Sequence, residues 1–158
     1  TRGSVSSGVF FESDRAGVTA RLQDLFENAG FLDNLLLVQT FADGPEYRVV
    51  ASQGELLLAY QKVSEGVSAH DRNPLHHHTG RAERVVDESI LGELSRLTSK
   101  IAGVIDLGLY AVDLIRDCER GWQILELNPN PFCYFYNRTN GQDDFIGLYA
   151  DLLRKYAT

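Results

Sequence analysis

Two short apolar segments joined by a polar turn constrain the fold of this chain more than any other feature. The segments are Leu109–Ile115 and Trp122–Asn128, and charged and glycine residues separate them. Strands joined by so short a connection pair as an antiparallel hairpin. If Glu119-Arg120 is a two-residue turn, Asp113 lies directly opposite Glu126, and a different turn length would shift this register.

The acidic residues of this hairpin predict chemistry as well as structure. Alternate side chains of a strand share a face, so Glu126 and Asn128 point the same way. Like charges paired across strands destabilise a sheet, and burial increases the cost. A hard dication with oxygen ligands, its shell completed by phosphate oxygens, would offset the charge of Asp113 and Glu126. The alternative, which spacing alone leaves open, is that Glu126 pairs with a lysine or arginine while Asp113 faces solvent.

The rest of the chain mixes strands and helices. A second hairpin is predicted for Glu46–Ala51 and Glu55–Lys62 around Ser52-Gln53-Gly54. An apolar run suits a buried strand at Asn34–Thr40, and helical periodicity marks Ala16–Asn28, Asp87–Ile105 and Phe145–Tyr156. Val63–Arg84 is polar and irregular. We therefore expect one α+β domain with antiparallel sheets and flanking helices.

Charge and composition exclude several classes of protein. The formal net charge of -7 gives nucleic-acid binding no electrostatic support. No apolar run approaches the length of a membrane span, so we expect no membrane partner. The two cysteines make no disulfide framework, and reduced thiols favour a cytoplasmic location. A homo-oligomer is compatible with the sequence.

The segment Ile124–Pro131, ILELNPNP, resembles the "vlEvNpnP" stretch that ends the core of ATP-grasp enzymes. Ala111-Val112-Asp113 resembles the "GvD" strand that precedes it in that family. The family's magnesium ligands are an Asp, a Glu and an Asn at these places. The resemblance therefore implies Asp113, Glu126 and Asn128 as ligands of Mg2+, with Mn2+ as an alternative.

The segment Leu36–Tyr47 resembles the nucleotide hinge of the same family. The resemblance implies that adenine is bound by the backbone of four residues, Gln39, Thr40, Phe41 and Ala42. It also implies that Glu46 accepts the ribose hydroxyls and that Leu125 packs on the adenine. Two hydroxyl hydrogen bonds suit a carboxylate. From the residues alone, Glu46 also fits a solvated strand start.

Gly3–Gly8 resembles the family's flexible phosphate loop, which implies phosphate contacts for Gly3, Ser4, Ser6 and Ser7. Arg72 and Lys62 are the candidates for the cation at the terminal phosphate, although Lys62 equally fits a solvated strand end. Family members carry a phosphate-binding lysine on the strand before this loop. Since the chain opens in the loop itself, we expect residues 1–158 to be an ATP-grasp domain fragment without its N-terminal region.

The resemblance implies an ATP-dependent ligase that joins a small-molecule carboxylate to an amine through an acyl phosphate. Ala111 stands where D-alanine–D-alanine ligases carry an arginine. The resemblance is therefore nearer to the ribosomal-protein glutamate ligases. Two alternatives stay open. One is a non-catalytic ATP-binding module, and the other is an ATP-grasp enzyme of different chemistry, a carboxylase or a phosphotransferase.

Overall fold

A computed structural model describes residues 10–27, 37–63, 80–131 and 133–157. The described residues form a five-stranded antiparallel sheet with helices packed on it, which confirms the predicted α+β class. The helices are α1 (Arg15–Glu27), α2 (Glu88–Ala102), α3 (Tyr134–Asn140) and α4 (Asp143–Tyr156). The strands are β1 (Glu46–Ser52), β2 (Glu55–Val63), β3 (Arg81–Arg84), β4 (Leu109–Asp117) and β5 (Gly121–Asn128). Their order across the sheet is β3-β2-β1-β4-β5.

Both predicted hairpins are present, and β1 joins them by pairing with β4. In the first hairpin, Gln53 and Gly54 form the turn, with φ angles of 49° and 88°. Positive φ at both central residues matches the right-handed twist of the strands, which is why glycine suits the second position. The turn sets the pairing of Ser52 with Glu55, and a shift of one residue between Val50 and Ala51 then sets the register of the rest of β1 on β2.

Helix α2 covers one face of the sheet. Its Leu94 and Ile101 pack on strand residues that share this face, namely Val49, Ala51, Ala59, Val112 and Leu114. The helix begins where the Asp87 side chain accepts hydrogen bonds from the backbone N–H groups of Ser89 and Ile90. Burying a leucine side chain such as that of Leu94 contributes roughly 1.5–3 kcal/mol.

Helices α3 and α4 cover part of the opposite face. Tyr136 of α3, with Phe145 and Leu148 of α4, packs against Val50, Leu58, Tyr60, Ala82 and Ala111. The hydroxyl of Tyr156 in α4 hydrogen-bonds Ser52 Oγ at 3.1 Å. Toward the start of β1 this face becomes charged, because Glu46 and Arg48 occupy the alternate positions that precede Val50.

The structure corrects three local predictions. Arg81–Arg84 pairs with the end of β2 as an edge strand, although the sequence predicts an irregular segment there. Helix α3 was not predicted at all. Residues 37–40 of the predicted strand Asn34–Thr40 are exposed and not in a strand, and residues 34–36 lie outside the described part. No helix in the described ranges is long and apolar enough to cross a membrane.

Candidate functional site

A row of polar side chains crosses the sheet from β2 to β5. Tyr60 lies opposite Arg48, Arg48 opposite Asp113, and Asp113 opposite Glu126. Cross-strand partners share a face, so the row projects from the side that carries α3 and α4. Two positions along β1, a second row begins with Glu46, which lies opposite Lys62.

The pairing of Asp113 with Glu126 is as predicted, but it arises differently. The turn contains three residues, 118–120, and the predicted two-residue turn Glu119-Arg120 is wrong. The register shifts between Asp113 and Leu114, which leaves Leu125 as an extra residue in β5. A bulge of this kind re-aims the side chains beside it. Here it restores the carboxylate pairing that the longer turn would otherwise displace.

Asp113 is buried, with 5% of its surface exposed, and two cations hold its carboxylate. Arg48 donates from Nε to Oδ1 at 2.8 Å and from Nη2 to Oδ2 at 2.6 Å. Lys62 Nζ lies 2.9 Å from Oδ1. Burial by itself would raise the pKa of Asp113, but the hydrogen bonds and charges of Arg48 and Lys62 outweigh it and the pKa is lowered. The carboxylate is therefore held in its charged form.

Burial and the charge of Asp113 also have opposite effects on the pKa of Arg48. Burial opposes its charge, while hydrogen bonds to Asp113 and the charge of Asp113 favour it, so the net effect raises the pKa of Arg48. Arg48 was not among the predicted site residues. The signal that could have found it is the alternation of Glu46 and Arg48 with apolar residues in β1. That alternation places both charges on one strand face.

Glu126 is exposed, and Asn128 lies partly buried beside it. With its amide turned to satisfy both neighbours, Asn128 donates from Nδ2 to Glu126 Oε1 at 2.9 Å and accepts from Arg48 Nη2 at 3.3 Å. Within the described ranges no lysine or arginine forms an ion pair with Glu126. Asp113 is the buried, paired member instead. The alternative in which Asp113 faces solvent is therefore wrong.

Glu46 and Lys62 form a second charged pair against the first. Lys62 Nζ donates a hydrogen bond to Glu46 Oε1 and also contacts Asp113. Burial raises the pKa of Glu46, and the charge of Lys62 opposes that effect. With 8% of its surface exposed, Lys62 is not a solvated strand end. The two sites inferred from the sequence, one around Glu46 and one around Asp113, thus share a lysine.

The segment before β1 is attached to the β4–β5 turn. Arg120 Nη2 donates to the carbonyl of Phe41 at 2.6 Å, and the N–H of Asp43 donates to Asp117 Oδ2 at 2.9 Å. A Cβ atom on Gly44 would lie 2.1 Å from the carbonyl oxygen of Arg116, so this close approach requires glycine. Turn and segment therefore hold each other in position.

The structure brings together five of the residues singled out by sequence, namely Glu46, Lys62, Asp113, Glu126 and Asn128. Five other candidates lie within the described residues. Gln39, Thr40 and Phe41 are exposed, Ala42 is half-buried, and Leu125 is 47% exposed at the bulge. Arg72, Gly3, Ser4, Ser6 and Ser7 lie outside the described residues.

Asp113, Glu126 and Asn128 are the candidate ligands for a divalent cation. Among the described residues, no three His, Cys, Asp or Glu side chains gather as metal ligands. Asp113 and Glu126 with the amide oxygen of Asn128 form an all-oxygen set, which suits magnesium with few protein ligands. Each Asp113 oxygen already accepts from a cation, but a carboxylate offers about four acceptor sites. The donor types therefore suit such an ion, next to the cations Arg48 and Lys62.

No known protein family and no curated protein matches the sequence of this chain. Solved structures do match its fold. One is the ATP-grasp ligase PsnB complexed with minimal precursor, at a TM-score of 0.52 and 20% identity, covering 76% of this chain and 36% of that chain. Another is PsnB with a phosphomimetic variant of minimal precursor, Mg and ADP, at a TM-score of 0.51 and 18% identity, covering 74% and 35%.

This chain thus spans about a third of the length of those PsnB structures. The likeness covers about three quarters of this chain, at an identity too low to carry residue roles from one protein to the other. The likeness therefore shows that this chain shares the fold of part of an ATP-grasp ligase.

Proposed function

We propose that this chain is the nucleotide- and metal-binding part of an ATP-dependent carboxylate–amine ligase, and that residues 1–158 are a fragment of its ATP-grasp domain. One observation carries the proposal. Asp113, Glu126 and Asn128 meet beside the largely buried Glu46–Lys62 pair on one face of the sheet. PsnB, a ligase of the same fold, is described in complex with Mg and ADP.

The nucleoside end of the site would use β1 and the segment before it. Glu46 has two carboxylate oxygens for the two ribose hydroxyls. The backbone of residues 39–42 would bind the adenine edge, and its attachment to Arg120 and Asp117 holds it in place. Leu125, an exposed apolar side chain on β5, would pack on the base.

The phosphate end would use the charged rows. Magnesium at Asp113, Glu126 and Asn128 would supply positive charge beside the phosphate oxygens. Lys62 and Arg72 are the proposed cations for the terminal phosphate, and the backbone of Gly3, Ser4, Ser6 and Ser7 would enclose it. Arg48 would keep the Asp113 carboxylate charged and fixed in orientation.

The proposed reaction has two steps. A substrate carboxylate oxygen attacks the γ-phosphorus of ATP, which forms an acyl phosphate and breaks the bond to ADP. The amine nitrogen then attacks the acyl carbon, phosphate leaves, and the nitrogen loses a proton as the amide forms. The residues of this chain would bind, orient and neutralise charge, which is the main task of an enzyme in phosphoryl transfer. Small-molecule carboxylates and amines are the proposed substrates.

The test is ADP release by the full-length protein from Mg-ATP, with amino acids and dipeptides offered singly and in pairs. Sustained ADP release by a ligase requires both a carboxylate and an amine, because without the amine the reaction stops at the acyl phosphate, and Glu126→Gln should abolish this turnover. Glu119→Gln, the same change at an exposed turn residue, should not. Sustained ADP release with N-acetylated amino acids, which have a carboxylate and no free amine, would indicate another chemistry. ATP binding without ADP release from any pair would indicate a non-catalytic module.

A further inference from the structure

Lys62 touches both halves of the candidate site. It lies directly opposite Glu46 across β1 and β2, and its ammonium hydrogen-bonds Glu46 Oε1. The same nitrogen lies 2.9 Å from Asp113 Oδ1, and its side chain is 7% exposed. Under the proposed function, Glu46 belongs to the ribose site and Asp113 to the metal site. One buried cation therefore joins residues with different ligands.

The two carboxylates depend on Lys62 to different degrees. Asp113 also receives two hydrogen bonds from Arg48. Glu46 has Lys62 as the cation hydrogen-bonded to it among the described residues. Ribose hydroxyls that bind Glu46 must share its oxygens with the ammonium or move the ammonium toward Asp113. A dication at Asp113 repels the ammonium and moves it toward Glu46.

From this geometry we propose a coupling through Lys62: nucleoside binding at Glu46 lowers the affinity for a divalent cation at Asp113, and cation binding lowers the affinity for the nucleoside. The inference rests on the proposed function and adds a coupling between its two subsites. A nucleotide with phosphates would relieve the opposition, because the phosphates offer the ammonium another anion. The site would thereby discriminate against adenosine in favour of a phosphorylated, magnesium-bound nucleotide.

The test uses adenosine, which carries the ribose and no phosphate that could bridge to the metal. Calorimetry of the full-length protein should show the Kd for adenosine rising about fivefold or more between EDTA and saturating magnesium. The Kd for magnesium should rise by the same factor when adenosine is present, because coupling between binding sites is reciprocal. Lys62→Gln should bring both factors to about one. Lys100→Gln, which removes an equal charge at an exposed position on α2, should leave them unchanged.

The outcomes separate this inference from the function on which it rests. If adenosine does not bind, or binds Glu46→Gln as tightly as the wild type, the ribose assignment fails and the inference fails with it. If adenosine and magnesium each bind through their assigned residues and the wild type shows no coupling, the inference alone is overturned. The wild-type measurement requires no variant to fold.

Discussion

The same change, carboxylate to amide, should have very different effects on stability at two paired positions. Asp113 and Glu126 face each other across β4 and β5. Replacing either carboxylate by its amide removes one negative charge and changes little volume. Asp113 is buried against Arg48 and Lys62, whereas Glu126 is exposed. Comparing the two variants therefore distinguishes a carboxylate that stabilises the fold from one that does not.

For Asp113→Asn we expect a large loss of stability. Side-chain exposures are 16% for Arg48 and 7% for Asp113, so the variant leaves a buried guanidinium without its carboxylate. Breaking a buried ion pair in this way costs roughly 3–5 kcal/mol. At about 2–4 °C per kcal/mol for a domain of this size, the melting temperature should fall by roughly 6–20 °C. Lys62 keeps its contact with Glu46, so the cost falls mainly on Arg48.

For Glu126→Gln we expect no such loss. The change relieves repulsion with Asp113, and no lysine or arginine within the described residues loses an ion-pair partner. The free energy of unfolding should therefore change by less than about 0.5 kcal/mol. Magnesium should stabilise the wild type and not this variant, because a bound ligand stabilises the folded state. Turnover of Mg-ATP should be lost.

Thermal unfolding followed by circular dichroism, with EDTA and with magnesium, tests both expectations. Equal melting temperatures for Asp113→Asn and the wild type in EDTA would refute the account of the buried ion pair. A Glu126→Gln variant that melts far below the wild type in EDTA, yet turns over ATP when folded, would make Glu126 structural.

Three further predictions follow from single sites. Cys133 is buried and its pKa is raised to about 11, so iodoacetamide at pH 8 should label exposed Cys118 first, and mass spectrometry should find Cys133 labelled only after unfolding. Gly44→Ala should lower the urea midpoint because its Cβ would meet backbone, whereas Gly147→Ala in α4 should raise stability by about 1 kcal/mol. Hydrogen bonds, chiefly from Arg120, lower the pKa of Asp117, so its contribution is present above the ordinary value of about 3.9 and is lost as pH falls below it. The difference in urea midpoint between wild type and Asp117→Asn should therefore shrink in acid.

Local turn chemistry explains how much of this fold the sequence predicts. Ser52-Gln53-Gly54 predicts the first hairpin, and alternation places Glu126 and Asn128 on one face. The pairing of Asp113 with Glu126 was also predicted, although through a two-residue turn. A three-residue turn and the Leu125 bulge produce it instead. The turn is one residue longer than predicted, and β5 contains one extra residue at the bulge. These two differences shift the register in opposite directions, so Asp113 still pairs with Glu126.

Contacts between segments that lie far apart in the chain could not be predicted from the sequence. Helix α2 separates β2 and β3 from β4 in the chain, and nothing local specifies that β1 pairs with β4. That pairing puts Arg48 opposite Asp113 and lets Lys62 reach it from β2. The sequence by itself determined which residues carry the carboxylates and which strand face they occupy. Only the tertiary structure decided which cations neutralise them, because that depends on how the two hairpins pack side by side.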